Sequence, residues 1–119
     1  MPATLHPRVQ HRLEDFIQAH LHEEIDLDAL ASVANVSRFH FARAFRASKG
    51  SSAMAYLEQR RIERAQDLIR SGESTLAQVA SLVGYEDPSY FTRRFRLRTG
   101  LTPSAWARLV GKGKVDQPV

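Results

Sequence analysis

The chain is short and moderately basic, and its composition is typical of a single globular domain. Its 119 residues are 43% hydrophobic and 25% charged, with a formal net charge of +4, which excludes a disordered chain and leaves no room for a large enzyme core. It contains no cysteine, so disulfides and thiolate metal sites are excluded. Its apolar runs are only a few residues long, so we expect a soluble cytoplasmic protein without a membrane span or signal peptide.

The basic residues are unevenly distributed along the chain. Six acids and no Lys or Arg lie between residues 13 and 37, whereas Arg38, Arg43, Arg46 and Lys49 follow with no acid among them. Arginine supplies 14 of the 17 basic residues, and its flat, forked guanidinium group suits phosphates and guanine edges. This distribution favours an anionic partner.

The spacing of apolar residues and the positions of capping residues predict an all-α fold of about seven helices. Asp26, Ser37 and the Thr75–Gln78 pair are typical residues for the start of a helix, and Gly50 and Gly100 for its end. The predicted helices cover 8–21, 27–34, 38–49, 53–71, 76–83, 88–99 and 103–109. We expect a flexible tail over 111–119.

An internal repeat defines the organisation of the chain. The segment LDALASVANV at 27–36 matches LAQVASLVGY at 76–85, and the residues from Phe41 onward recur 50 positions later, from Phe91. Each copy consists of a short helix, a turn and an arginine-rich second helix, which is the arrangement of a helix-turn-helix. We therefore predict a first subdomain over 8–51, a long linker helix over 52–72 and a second subdomain over 73–110.

Each arginine-rich helix has an aromatic side and a basic side. At about 100° per residue, Phe41 and Phe45 point away from Arg43 and Arg46, and the second copy repeats this division. A helix held by a core on one side and basic on the other can enter the DNA major groove. The predicted DNA-binding residues are Arg38, Phe39, Ala42, Arg43, Arg46, Ser89, Thr92, Arg93 and Arg96.

Within this set, we expect Arg43 and Arg93 to contact guanine edges, and Arg46 and Arg96 to contact phosphates. Phe39 is interpreted as an exposed contact for thymine methyl groups, with a partly buried aromatic ring as the alternative. A solvated, ion-paired surface is the alternative for the arginines.

Other charged and polar residues have structural interpretations. We predict a carboxylate partner for Arg61, packing or ion-pairing roles for Arg94 and Arg98, and either solvation or phosphate contacts for Arg60 and Arg64. His20 and His22 lie two residues apart, so they point in different directions at a helix end, and we expect no metal. No phosphate-binding glycine loop or nucleophile motif is present, so we expect neither an enzyme nor a cofactor.

The chain resembles the AraC/XylS family of bacterial transcription regulators. The family signature corresponds to RIERAQDLIRSGESTLAQVASLVGYEDPSYFTRRFRLRTGLTPSAW at 61–106, and its upstream half to DLDALASVANVSRFHFARAFRASKG at 26–50. The resemblance implies two helix-turn-helix subdomains joined by a linker helix over about 53–71. It implies base contacts from Phe39, Ala42, Arg43, Ser89, Thr92 and Arg93. Ala42 and Pro88 replace polar residues of other members, so the target sequence cannot be transferred from a relative.

This resemblance implies a sequence-specific regulator of transcription that binds double-stranded promoter DNA, an activator that recruits RNA polymerase, in the nucleoid. A linker of 19 residues spans roughly 28 Å, so the two recognition helices of a monomer are expected to enter successive major grooves, roughly 34 Å apart. The alternatives are a helical module that binds an acidic protein, and the DNA-binding part of a recombinase or transposase.

Overall fold

A computed structural model describes residues 3–110, and all the regular structure in that range is helical. The helices are α1 Pro7–His20, α2 Leu27–Ala34, α3 Arg38–Lys49, α4 Ala53–Ser71, α5 Leu76–Leu82, α6 Pro88–Thr99 and α7 Pro103–Val110. The predicted all-α class and the seven predicted helices are confirmed, with ends that differ by one residue at most. The tail predicted over 111–119 lies outside the described residues.

Side-chain caps fix where the helices begin. Asp26 accepts a hydrogen bond from the Ala29 amide at 2.8 Å. The Thr75 amide donates to the Gln78 side chain at 2.8 Å, and the Gln78 amide donates to the Thr75 hydroxyl at 3.2 Å, which completes the predicted capping box. These bonds satisfy amides that have no partner within the helix. α1 begins at Pro7, one residue earlier than predicted, because the His6 ring accepts a hydrogen bond from the Arg8 amide at 3.0 Å.

Residues in the left-handed conformation end α2, α3 and α6. Asn35 has φ 58° after α2, a conformation that asparagine tolerates better than most residues. Gly50 and Gly100 have φ 80° and 88° at equivalent positions after α3 and α6. A side chain at either glycine would be strained, so the two modules share a way of ending the second helix.

The described chain divides into two compact units between Glu58 and Gln59, within α4. α4 contributes Ala53 and Leu57 to the core of the first unit, and Ile62, Ala65 and Ile69 to the core of the second. Each unit therefore has its own hydrophobic core. The first part of α4 contributes to one core and the last part to the other.

The core of the first unit includes one residue from before α1. Leu5 is buried, and its amide donates to the Ser48 hydroxyl of α3 at 2.8 Å. The Leu5 carbonyl accepts a hydrogen bond from the Gln10 side chain at 2.8 Å. The segment before α1 is thereby attached to the end of α3.

Within residues 3–110, no helix is long and apolar enough to cross a membrane.

Candidate nucleic-acid interface

α3 is held in the first unit by its aromatic side. Phe41, Ala44 and Phe45 are buried, and the ring centroids of Phe41 and Phe45 lie 5.6 Å apart. Phe45 also contacts Tyr56 of α4 edge-to-face at 5.4 Å, and Tyr56 donates a hydrogen bond to Glu14 of α1. α1 and α4 thus fix the orientation of α3 about its own axis.

The opposite side of α3 is exposed and basic, as predicted. Phe39 is 69% exposed, which favours the contact interpretation of this ring over the partly buried alternative. We call this surface the first arginine face. It comprises Arg38, Phe39, Arg43 and Arg46, which are exposed, and Ala42, which is half-buried.

Arg38 is the most constrained arginine of the first arginine face. Its Nε lies 3.7 Å from the Asp28 carboxylate of α2, and both side chains are more than half exposed. Its guanidinium group lies 5.6 Å from the centre of the Phe39 ring. By contrast, within residues 3–110 the Arg43 side chain makes no hydrogen bond, ion pair or ring contact.

α6 is held in the second unit in the same way. Phe91 and Phe95 are buried, with ring centroids 5.7 Å apart. Phe95 contacts Trp106 of α7 edge-to-face at 6.0 Å. Phe91 and Phe95 repeat Phe41 and Phe45, so equivalent aromatic residues anchor the second helix of each module.

The outward side of α6 carries the second arginine face. It comprises Ser89, Arg93 and Arg96, which are exposed, and Thr92, which is half-buried. The Ser89 amide donates to the Asp87 cap at 2.9 Å, which fixes the first turn of α6. The Arg93 guanidinium group lies 5.8 Å from the centre of the Tyr90 ring. Of the nine residues predicted to bind DNA, seven are exposed, and two, Ala42 and Thr92, are half-buried.

The remaining arginines have more local roles. Arg60 is partly buried and pairs with Glu63 at 3.4 Å, whereas Arg64 is exposed. Arg61 lies 5.9 Å from the Tyr85 ring centre, a contact that the carboxylate prediction did not include. Arg94 is half-buried, and both it and Arg98 interact with other groups of the protein, in line with packing or ion-pairing roles.

Two neighbours of the predicted site were not identified from the sequence. Asp28 belongs to the acidic segment, and only the fold brings it beside Arg38. Tyr90 was detectable, since it precedes Arg93 by three positions and residues so spaced are neighbours on a helix. In residues 3–110, no group of three or more histidine and acidic side chains is arranged to hold a metal.

Comparison with known proteins assigns this double module to a family. A family model described as a helix-turn-helix domain matches residues 30–109. The MmsAB operon regulatory protein of Pseudomonas aeruginosa is 35% identical over 102 residues, which make up 86% of this chain and 33% of that protein. The HTH-type transcriptional activator RhaR of Salmonella dublin is 31% identical over 109 residues, 92% of this chain and 39% of that protein. The chain thus spans less than half of the length of these two relatives.

A solved structure connects the fold with DNA. The DNA-binding domain of AdpA, described as a global transcriptional factor, was solved in complex with a target DNA. It matches with a TM-score of 0.79 and 29% sequence identity, over 85% of this chain and 90% of that one. The fold, the repeated module and these relatives agree with the family resemblance of the sequence. The chain belongs to the AraC/XylS family of bacterial transcription regulators and contains its double helix-turn-helix DNA-binding domain.

Proposed function

We propose that α3 and α6 are both recognition helices, and that the chain regulates transcription by binding a specific sequence of promoter DNA. The observation that carries this proposal is the pair of arginine faces, each exposed on a helix whose opposite side is fixed by two buried phenylalanines. A helix fixed in this way can present the same side chains to the major groove without losing much further conformational freedom.

The two arginines at equivalent central positions, Arg43 and Arg93, are the proposed base contacts. Each is exposed, and a guanidinium group can donate two hydrogen bonds to the O6 and N7 atoms of guanine. Arg46 and Arg96 lie nearly one turn later and are the proposed phosphate contacts. Arg38, Phe39, Ala42, Ser89 and Thr92 complete the proposed surface.

We further propose that the two helices enter successive major grooves of one duplex and that a monomer suffices, because the chain carries both modules. An activating role through RNA polymerase and a cytoplasmic, nucleoid-associated location complete the proposal. The description of RhaR as an activator supports the first of these. The domain would act by binding alone, without catalysis.

The test is the salt dependence of binding to a duplex selected from a random pool, compared with a scrambled duplex. If six to ten phosphates are neutralised, the slope of log K against log salt is expected between about −5 and −9. The selected duplex should bind at least about a thousandfold more tightly. A slope shallower than about −2 would contradict the proposal and favour a module that binds acidic proteins. Equal affinity for both duplexes would contradict the proposed sequence specificity.

A further inference from the structure

Tyr90 is an exposed aromatic residue beside one of the proposed base contacts. It lies in the first turn of α6 and is 46% exposed. The Arg93 guanidinium group lies 5.8 Å from the centre of its ring, within the range of a cation–π interaction. The spacing of three residues keeps the two side chains on neighbouring positions of the helix.

The Tyr90 ring is itself supported by the core of the second unit. Its centroid lies 6.0 Å from that of Tyr85, which is buried. Tyr85 in turn packs against Phe91 at 5.2 Å, and the Arg61 guanidinium group lies 5.9 Å from the Tyr85 ring. A chain of contacts therefore runs from the core to Arg93, so Tyr90 has restricted freedom to move away from it.

On the first arginine face the ring contact is made by Arg38 with Phe39, and the central arginine has no such contact. The residue that corresponds to Tyr90 in the repeat is His40, and the one that corresponds to Arg93 is Arg43. Among residues 3–110, no ring contact or ion pair involves Arg43. The two central arginines thus differ in how far they are restrained before DNA binds.

We propose that Tyr90 is a positioning residue for Arg93, which it holds ready for contact with a base in the second half-site. A long side chain loses rotamer freedom when it binds, and restraint beforehand reduces that loss. The gain applies only to the base pair that the arginine contacts, so Tyr90 contributes to discrimination between sequences. This inference rests on the proposed role of Arg93 as a base contact.

The experiment compares Tyr90→Leu, Tyr90→Phe, Arg93→Ala and the Tyr90→Leu/Arg93→Ala double variant on duplexes substituted singly along the second half-site. The position at which Arg93→Ala loses discrimination identifies its base pair. The readout is the ratio of Kd values for the substituted and the original duplex, which does not depend on the fraction of protein that is folded. His40→Leu is the matched control in the first module.

We expect Tyr90→Leu to reduce discrimination at the Arg93 base pair by about two- to fivefold, the range of an exposed cation–π contact. Tyr90→Phe should retain it, since the aromatic face remains. His40→Leu should leave discrimination at the Arg93 base pair unchanged. In the Arg93→Ala background, Tyr90→Leu should cause no further loss of discrimination.

Three results would overturn the inference. The first is that Tyr90→Leu leaves discrimination unchanged. The second is that it weakens binding to all duplexes by the same factor, and the third is that it has the same effect in the Arg93→Ala background. If Arg93→Ala changes discrimination and Tyr90→Leu does not, only the role of Tyr90 is wrong. If Arg93→Ala itself changes no base preference, the base contact proposed for Arg93 is wrong as well.

Discussion

The arginine side chains of the two faces differ in the contacts that they make with the rest of the protein. Arg38 lies between an acid and a ring, Arg93 lies over a ring, and Arg43 makes no such contact within residues 3–110. Arg46 and Arg96 are exposed, and each follows the central arginine of its helix by three residues. These differences lead to separate expectations for base contacts, phosphate contacts and the acid beside Arg38.

Arg46→Ala and Arg96→Ala are expected to weaken binding to all duplexes by a similar factor. A phosphate contact contributes affinity through counterion release and carries no sequence information, so each change should also flatten the salt slope by about one unit. Titrations at several salt concentrations on the selected and a scrambled duplex measure both effects. A change in base preference, with an unaltered slope, would assign either arginine to a base edge instead.

Asp28→Asn is expected to strengthen binding to selected and scrambled duplexes alike. Asp28 lies 3.7 Å from Arg38, so its charge opposes an approaching phosphate and competes for the guanidinium group. Because the pair is exposed, the gain should be modest, about two- to fivefold.

Asp67→Asn is the matched control for this change, since Asp67 forms an exposed pair with Arg70 on α4 at 3.4 Å. We expect this variant to bind DNA like the unaltered protein. Weaker binding by Asp28→Asn would mean that the acid orients Arg38 productively, contrary to the expectation.

At the scale of a single helix, α3 separates a structural side from a binding side. Phe45 is 2% exposed and Phe39 is 69% exposed. Phe45→Ala should therefore lower the free energy of unfolding by about 3–5 kcal/mol, and Phe39→Ala should change it by less than about 0.5 kcal/mol. Urea denaturation followed by circular dichroism measures both.

The Phe39→Ala variant also tests the role of Phe39 in DNA binding. Phe39→Ala should reduce DNA affinity even though the fold is retained, because the apolar contact with thymine methyl groups is removed. An unfolding free energy that falls by more than about 1 kcal/mol in Phe39→Ala would show that this ring belongs to the core.

The helices were predictable because their ends are encoded locally. The side chains of Asp26, Ser37 and Thr75 each accept a hydrogen bond from the amide three positions later, and such caps can be identified without knowledge of the fold. The division of α3 and α6 into buried and exposed sides follows from helical periodicity, and the structure confirms it. The candidate site was therefore largely accessible from the sequence.

Contacts between elements were not accessible in this way. The Leu5 amide bonds to Ser48 across 43 positions, and Asp28 meets Arg38 only because α2 packs against α3. Neither contact has a periodicity or a capping motif that would predict it, because each depends on tertiary packing. The interaction of Arg61 with the Tyr85 ring is similar, since its place on the apolar side of α4 led to the prediction of a carboxylate partner and did not identify the ring.

At the scale of the whole molecule, one chain carries two modules that differ in their surfaces. The first arginine face has Ala42 and Phe39 beside Arg43, whereas the second has Ser89 and Thr92 beside Arg93. Neither Ala42 nor Phe39 has a side-chain hydrogen bond to offer, so Arg43 should carry most of the polar discrimination of its half-site. The hydroxyl groups of the second face should partly compensate for the loss of Arg93.

The chain is expected to be a monomer when no DNA is present. Its exposed large apolar residues within 3–110 are six side chains distributed over five helices, with only Tyr90 and Leu97 on the same helix, and scattered residues of this kind are normal on a monomer surface. Sedimentation velocity over a range of concentrations should give one species of monomer mass. A tight dimer would contradict the proposal that both recognition helices of one chain bind one site.

The most direct test of the central claim, that α3 and α6 both recognise bases, is selection from a randomised-site library with the unaltered chain, Arg43→Ala and Arg93→Ala. Each variant should lose preference at one position of its own half-site, at a cost of about 1–3 kcal/mol, and Arg43→Ala should lose more discrimination. If Arg43→Ala selects the unaltered sequence and binds all sequences uniformly more weakly, Arg43 contacts a phosphate and the assignment of the first arginine face is wrong.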